Sequence, residues 1–136
     1  MNTWRMGEWI GVGPSAASQH RGWRGANVAD LAGWLEGLAR RERMTEDRRA
    51  VTPALLAEDA LVFGLRMNAG VDLVAWRARS PDLPWDAVLE TLRDLEAAGR
   101  LEINDGAVRL TSAGRLIADA IGAEIMAAFA TEEALA

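Results

Sequence analysis

Residues 82–110 constrain the fold more than any other stretch. Trp85, Val88, Leu89, Leu92 and Leu95 recur at i, i+3, i+4, i+7 and i+10, the spacing of a single apolar helical face. Pro84 suits the first helical turn, where its missing N–H costs nothing, and Gly99 suits the position just past the last turn, where positive φ is wanted. Leu101 and Ile103 then alternate with Glu102, and Val108 and Leu110 with Arg109, around Asp105-Gly106, a strong tight-turn signal. The stretch predicts a helix, a glycine stop and a two-stranded hairpin. A helix with one apolar face must dock on something, so the flanking segments have to supply partner faces.

Those segments read as further helices. Thr52 and Pro53 open one as N-cap and first helical residue, with Leu56, Ala60, Phe63 and Met67 as its core face, broadened by Leu55 and Val62. Gly64 in its middle costs about 1 kcal/mol against alanine, which predicts a close helix–helix approach there. Asp72 caps a short helix through Leu73, Val74 and Trp76 to about Arg79. Thr111 caps a last helix whose buried side is Leu116, Ile117, Ala120, Ile121, Ile125 and Phe129. The predicted class is mainly α with a small β-hairpin, in the order α, α, α, β, β, α of a winged helix over residues 53–130, with 131–136 as a frayed tail.

The N-terminal part is of a different kind. In residues 1–26, Trp4, Trp9 and Trp23 are scattered among glycines with no helical period, and a strand at Glu8–Val12 followed by a Gly-Pro turn is the local expectation. Three tryptophans without a periodic face imply a neighbouring surface to cover. Asn27 is the expected N-cap of a helix with Val28, Leu31, Trp34, Leu35 and Leu38 on one face, and Asp30 stands in the capping-box position. Residues 40–51 carry arginines interleaved with Glu42, Glu46 and Asp47, and read as a charged, solvated connector rather than an anion-binding patch.

Charge and composition exclude several functions. The basic residues are 15 arginines and the acids number 20, for a net charge of −5. Residues 1–52 are net +2 and residues 53–136 net −7, so the second part repels phosphate backbones. The exposed positions of the Trp85 helix are Asp86, Glu90, Asp94 and Glu96 against Arg93 alone, which argues against insertion into a DNA groove. Nucleic acid is therefore not an expected partner. Cysteine is absent, which excludes disulfides and thiolate-held metal or iron–sulfur sites within the chain. With His20 as the single histidine, self-contained triads and multi-histidine metal sites are not expected. No apolar run is long enough to span a membrane and no signal sequence is evident, so a cytoplasmic protein is expected.

Few residues stand out as chemistry. Gly11-Val12-Gly13-Pro14-Ser15-Ala16 formally matches a dinucleotide-binding fingerprint, but no helix follows and Pro14 removes a backbone donor. His20 reads as a ligand, an acid–base group or a plain surface histidine. Arg66 and Asp72 read as a local ion pair, as caps or as a binding site.

Read together, the segments resemble a known family. Asn2-x-Trp4, Gly7-Glu8-Trp9-Ile10-Gly11-Val12-Gly13-Pro14-Ser15-Ala16-Ala17-Ser18, Arg24-x-x-Asn27, Trp34-Leu35, Glu58 with Phe63-Gly64-Leu65-Arg66-Met67, Gly70-Val71-Asp72, Leu95-Glu96-Ala97-Ala98-Gly99-Arg100-Leu101 and Val108-Arg109-Leu110-Thr111-x-x-Gly114 follow in order. The series resembles the C-terminal part of the oxygen-independent coproporphyrinogen III oxidase-like radical S-adenosylmethionine proteins, the haem chaperone branch best. The resemblance implies a parent protein whose upstream barrel carries Cys-x3-Cys-x2-Cys, a four-iron cluster and S-adenosylmethionine, with haem as a further ligand. It implies that residues 1–26 are the barrel's terminal strand and loop, that 27–52 are a helix and linker, and that the rest caps the barrel and is inactive alone. It places Gly11, Gly13, Pro14, Ser15 and Ala16 near the barrel mouth, and Ser18, His20 and Arg24 near a tetrapyrrole. Its partners would be that barrel, a tetrapyrrole and, in a homodimer, a second copy. Many members have a histidine where Ala17 stands, so any ligand role of that residue is lost here or passes to His20.

Overall fold

The computed structural model describes residues 3–130, so the expected frayed tail at 131–136 lies outside the described residues. The chain divides into two compact units, Met1–Thr52 and Pro53–Ala136.

The first unit is built on an antiparallel sheet that the helical reading did not anticipate. After a 3-10 turn at Thr3–Arg5 come β1 (Ala17–His20), β2 (Trp23–Asn27), helix α1 (Leu31–Ala39) and β3 (Thr45–Ala50), in sheet order β1-β2-β3. β1 and β2 are joined by Arg21-Gly22, with φ of 50° and 75°, the double left-handed turn whose twist suits a two-residue hairpin. The Glu8–Val12 strand is reduced to a single bridge between Trp9 and Gln19. The 40–51 connector is in its second half the strand β3, exposed along its whole length. Residues 1–26 supply β1 and nearly all of β2, and the third strand comes from Thr45–Ala50.

Two helical details of this unit also shift. The N-cap of α1 is Asp30, whose carboxylate accepts from the Gly33 N–H. Asn27 is unavailable for capping because it ends β2 and is buried, with its amide turned toward the glycine loop. Within the helix Gly37 is buried, since a Cβ there would sit 2.4 Å from Met44 Cγ. Leu31, Leu35 and Leu38 remain more than half exposed.

The second unit runs α2 (Pro53–Gly64), β4 (Val71–Asp72), α3 (Leu73–Arg79), α4 (Trp85–Ala97), β5 (Leu101–Asn104), β6 (Ala107–Leu110), α5 (Ser112–Arg115) and α6 (Ala118–Ala130). Its sheet has the order β4-β6-β5, so the expected hairpin gains a third, two-residue strand. The turn Asp105-Gly106 has φ of 49° and 80°, as the sequence predicts. Asp72 caps α3 by accepting from the Ala75 N–H at 2.9 Å. α4 buries Trp85, Val88, Leu92 and Leu95 against Leu61, Val108, Ile121 and Ile125, which form one apolar core. With two sheets, the fold is mixed α and β rather than mainly α.

Two helical faces in this unit differ from expectation. α2 buries Ala57, Ala60, Leu61 and Gly64, while Phe63 lies 39% exposed. The reason is Gly64: a Cβ there would fall 2.5 Å from Val71 Cγ2, so this bare side of the helix lies against β4, a strand rather than another helix. The last helix is broken in two. Thr111 caps only α5, and a Cβ on Gly114 would lie 1.8 Å from the Arg100 carbonyl oxygen, pinning that turn to the start of β5. Leu116 and Ile117 fall in the break and are exposed, as is Ala120, whereas Ile121, Ile125 and Phe129 are buried as expected.

Candidate functional site

The residues singled out near the N-terminus lie on the first unit's sheet, and its register decides which way they face. Ser18 pairs with Gly25, His20 with Trp23, and Gln19 with Arg24. Cross-strand partners project to the same side while successive residues alternate. Ser18, His20, Trp23 and Gly25 therefore share one face, and Gln19 and Arg24 share the other. There Arg24 Nε donates to Gln19 Oε1 at 2.8 Å, and Nη2 donates to the same oxygen. Of the three residues expected beside a tetrapyrrole, Ser18 and His20 come together, while the guanidinium of Arg24 is drawn to Gln19.

β3 adds to this face through an irregularity. Asn27 pairs with Thr45 and Ala26 with Glu46, but Arg24 pairs with Arg49, so Asp47 and Arg48 together oppose Gly25 alone. This is a β-bulge, and Asp47 takes the extra turn at φ 53°. It lets Thr45 and Arg48, three residues apart, reach the same side. Gly25 makes the room: a Cβ there would stand 3.3 Å from Arg48 Cα and 3.2 Å from the Glu46 oxygen. The Arg48 guanidinium carbon then lies 4.6 Å from the centre of the Trp23 ring, within cation–π range.

Arg43, just before β3, reaches the same face. Its Nη2 donates to Ser18 Oγ and its Nε to Asn27 Oδ1 at 3.4 Å. Ser18 Oγ also accepts from the Gly11 N–H at 3.0 Å, and the Asn27 amide donates to the Gly13 carbonyl at 2.8 Å. Ser18 and Asn27 thus tie the glycine loop to an arginine. The concavity over this face has a volume of about 230 Å³ and is bordered by Ser18, His20, Trp23, Arg43, Thr45 and Arg48, with Arg24 and Gly25 at its floor strand and no acidic residue. Three of the nearby carboxylates are engaged elsewhere: Glu46 accepts from the Ala29 N–H, Glu42 pairs with Arg40, and Glu8 accepts from the Arg21 N–H, while Asp47 in the bulge is exposed and does not border the concavity.

The glycine loop is arranged for packing rather than phosphate binding. The N–H groups of Gly11, Ser15 and Ala16 donate to Ser18 Oγ, the Val28 carbonyl and the Gly13 carbonyl, and Pro14 has none to offer. A phosphate cradle needs such donors free. Gly11 is required by closeness, since a Cβ would fall 2.3 Å from the Ala17 oxygen. Gly11 and Gly13 border a second concavity of about 480 Å³ with Ile10, Val12, Trp34 and Leu38, whereas Pro14, Ser15 and Ala16 are not among its bordering residues.

Arg43 and Arg48 are the residues sequence reasoning passed over. Their signal was the arginine run, but interleaved acids made it look like a solvated linker, and only the bulged strand shows which charges converge. Arg66 and Asp72 have local roles, Asp72 as a cap and Arg66 bonded to the Val62 carbonyl and to Asp119. Among the described residues no group of His, Asp or Glu is placed to hold a metal ion, and no helix is long and apolar enough to cross a membrane.

Comparison with known proteins gives most of the second unit a family likeness. Residues 51–117 match the family described as the HemN C-terminal domain. Over those residues the chain is similar to the HemN C-terminal domain, and the relatives it matches are radical SAM domain-containing proteins. Over 132 residues it is 28% identical to radical S-adenosyl methionine domain-containing protein 1, mitochondrial, of Danio rerio, covering 89% of this chain and 30% of that protein. The Dictyostelium discoideum protein of the same name is 28% identical over 149 residues, covering 93% of this chain and 33% of its own length. The chain therefore spans about a third of the length of these relatives. Among solved structures, coproporphyrinogen III oxidase (HemN) from Escherichia coli, a radical SAM enzyme, shares the fold with a TM-score of 0.68 at 19% identity, over 88% of this chain and 28% of that one. The residues matched by the HemN C-terminal domain contain α4 and the β5–β6 hairpin and end before α6.

Proposed function

We propose that the chain works as the C-terminal part of a coproporphyrinogen III oxidase-like radical SAM protein of the haem chaperone type, covering a catalytic barrel and its tetrapyrrole and having no catalysis of its own. The observation that carries this reading is the HemN C-terminal domain match over residues 51–117. The cysteine-free composition agrees with it, because a chain without thiolates leaves the cluster and its S-adenosylmethionine chemistry to the barrel. The half-exposed Leu31, Leu35 and Leu38 on α1, with Ile10 and Val12 also exposed, are apolar surface of the kind a further protein layer covers. On this reading Gly11, Gly13, Pro14, Ser15 and Ala16 lie near the barrel mouth, and Ser18, His20 and Arg24 lie toward the tetrapyrrole. The experiment is to mix the chain with a family barrel lacking its own C-terminal domain and to follow co-elution and haem absorbance. Co-elution is expected, with haem binding only in the mixture. A tight, stoichiometric Soret shift with the 136-residue chain alone, or no co-elution, overturns the reading.

The pairing of β4 with the hairpin favours a second reading, a winged-helix-like module that docks on protein or DNA. The outer side of α4 opposes the DNA version, since Asp86, Glu90, Asp94 and Glu96 are exposed there beside Arg93. Binding to duplex DNA that falls steeply with added salt would favour it; no binding at low salt removes it.

A further inference from the structure

We propose that the concave face over Ser18, His20 and Trp23 is an oxyanion site, taking a carboxylate or phosphate group. Two guanidinium groups, Arg43 and Arg48, and the hydroxyl-bearing Ser18 and Thr45 border it without any acid, in a chain whose net charge is −5. Arg43 is held by Ser18 Oγ and Asn27 Oδ1, through Nη2 and Nε, and neither bond uses Nη1. A guanidinium fixed in this way keeps donors for a ligand and loses little freedom on binding. Arg48 is fixed differently, with its face over the Trp23 ring at 4.6 Å, which leaves the N–H groups at its edge for an anion.

Size limits what the site can take. Pockets for whole drug-sized ligands run from about 300 to 1,000 Å³, and this one holds about 230 Å³. It therefore accommodates one anionic group of a molecule rather than the whole of a large one. The backbone is shaped for this arrangement, since the bulge opposite Gly25 is what brings Arg48 to the side of Ser18. The site shares Ser18 and His20 with the residues proposed to lie toward a tetrapyrrole, but it rests on the first unit's own geometry and its test needs no barrel.

The test is calorimetric titration of the 136-residue chain with inorganic phosphate and, separately, with succinate, at ionic strength held constant with sodium chloride. Saturable one-to-one binding of either anion is expected, and the tighter of the two identifies the source as phosphate or carboxylate. Arg48→Gln is expected to weaken binding about tenfold or more, the loss of one charge-assisted contact, with an unchanged circular dichroism spectrum. Arg115→Gln, which removes a bond to Asn68 in the other unit, leaves binding as it was. Heats no larger than those of the chloride control for both anions, or equal affinity in Arg48→Gln and the parent chain, overturn the proposal.

Discussion

Trp85 and Phe129 meet edge to face, with ring centres 5.9 Å apart and planes at 75°. The pair joins the first turn of α4 to the last turn of α6, and the indole N–H also donates to the Ser80 carbonyl at 2.6 Å. Trp85→Ala removes the ring and leaves a cavity, and should cost about 3–5 kcal/mol in urea denaturation. Trp85→Phe keeps most of the ring but leaves the Ser80 carbonyl only the long 3.4 Å bond from the Leu83 N–H, at about 1 kcal/mol. If Trp85→Phe proved as damaging as Trp85→Ala, the hydrogen bond rather than the packing would dominate.

Gly114→Ala should destabilise the second unit by about 3 kcal/mol or more, at the upper end of overpacking costs. Its methyl would be placed 1.8 Å from the Arg100 oxygen, which is backbone and already accepts from the Thr111 N–H, so nothing cheap can move. Thermal unfolding of the variant beside Gly99→Ala tests this, because Gly99 has open space around it and is strained only by its φ of 70°.

Asn27→Ala should loosen the glycine loop. It removes the donor to the Gly13 carbonyl and the acceptor for Arg43 from a residue only 4% exposed, at about 1–3 kcal/mol. Asn27→Asp keeps the acceptor for Arg43 but turns a carboxylate on the Gly13 carbonyl, and should not restore stability. Amide exchange at Ser15 and Ala16, whose N–H groups are bonded within the loop and to Val28, reports the loosening directly.

The ion pair between Arg66 and Asp119 should contribute little, because the Asp119 side chain is 96% exposed. Asp119→Ala is expected to change stability by less than about 1 kcal/mol. Arg66→Ala should cost more, since Arg66 also donates to the Val62 carbonyl at 2.6 Å near the end of α2. Equal costs for the two would show the pair itself to be stabilising.

The second unit was largely legible because its signals are local. The apolar period of α4, the Asp72 cap and the Asp105-Gly106 turn each act within a few residues, and each is found in place. The misplaced faces of α2 and α6 have tertiary causes. Gly64 against Val71 and Gly114 against Arg100 are close approaches that no periodicity records. The first unit's sheet was illegible because its strands lack the alternation that marks a half-buried strand. Thr45–Ala50 is exposed throughout, and Ala17–His20 buries Ser18 and Gln19 rather than apolar side chains. The candidate site was half readable: Ser18 and His20 could be named from sequence, whereas Arg43 and Arg48 depend on the bulge opposite Gly25.

β3 ends its sheet, and its sequence, Thr-Glu-Asp-Arg-Arg-Ala, is both charged and bulged. An outermost strand with free backbone groups is a template on which another chain can stack and begin an aggregate. Here two acids followed by two arginines penalise a stranger's approach, and the kink at Asp47 breaks the straight run of hydrogen-bonding groups that fibril growth requires. The residues that resemble a linker in the sequence thus serve as a guard rail, keeping a small, weakly apolar sheet from being extended by its neighbours.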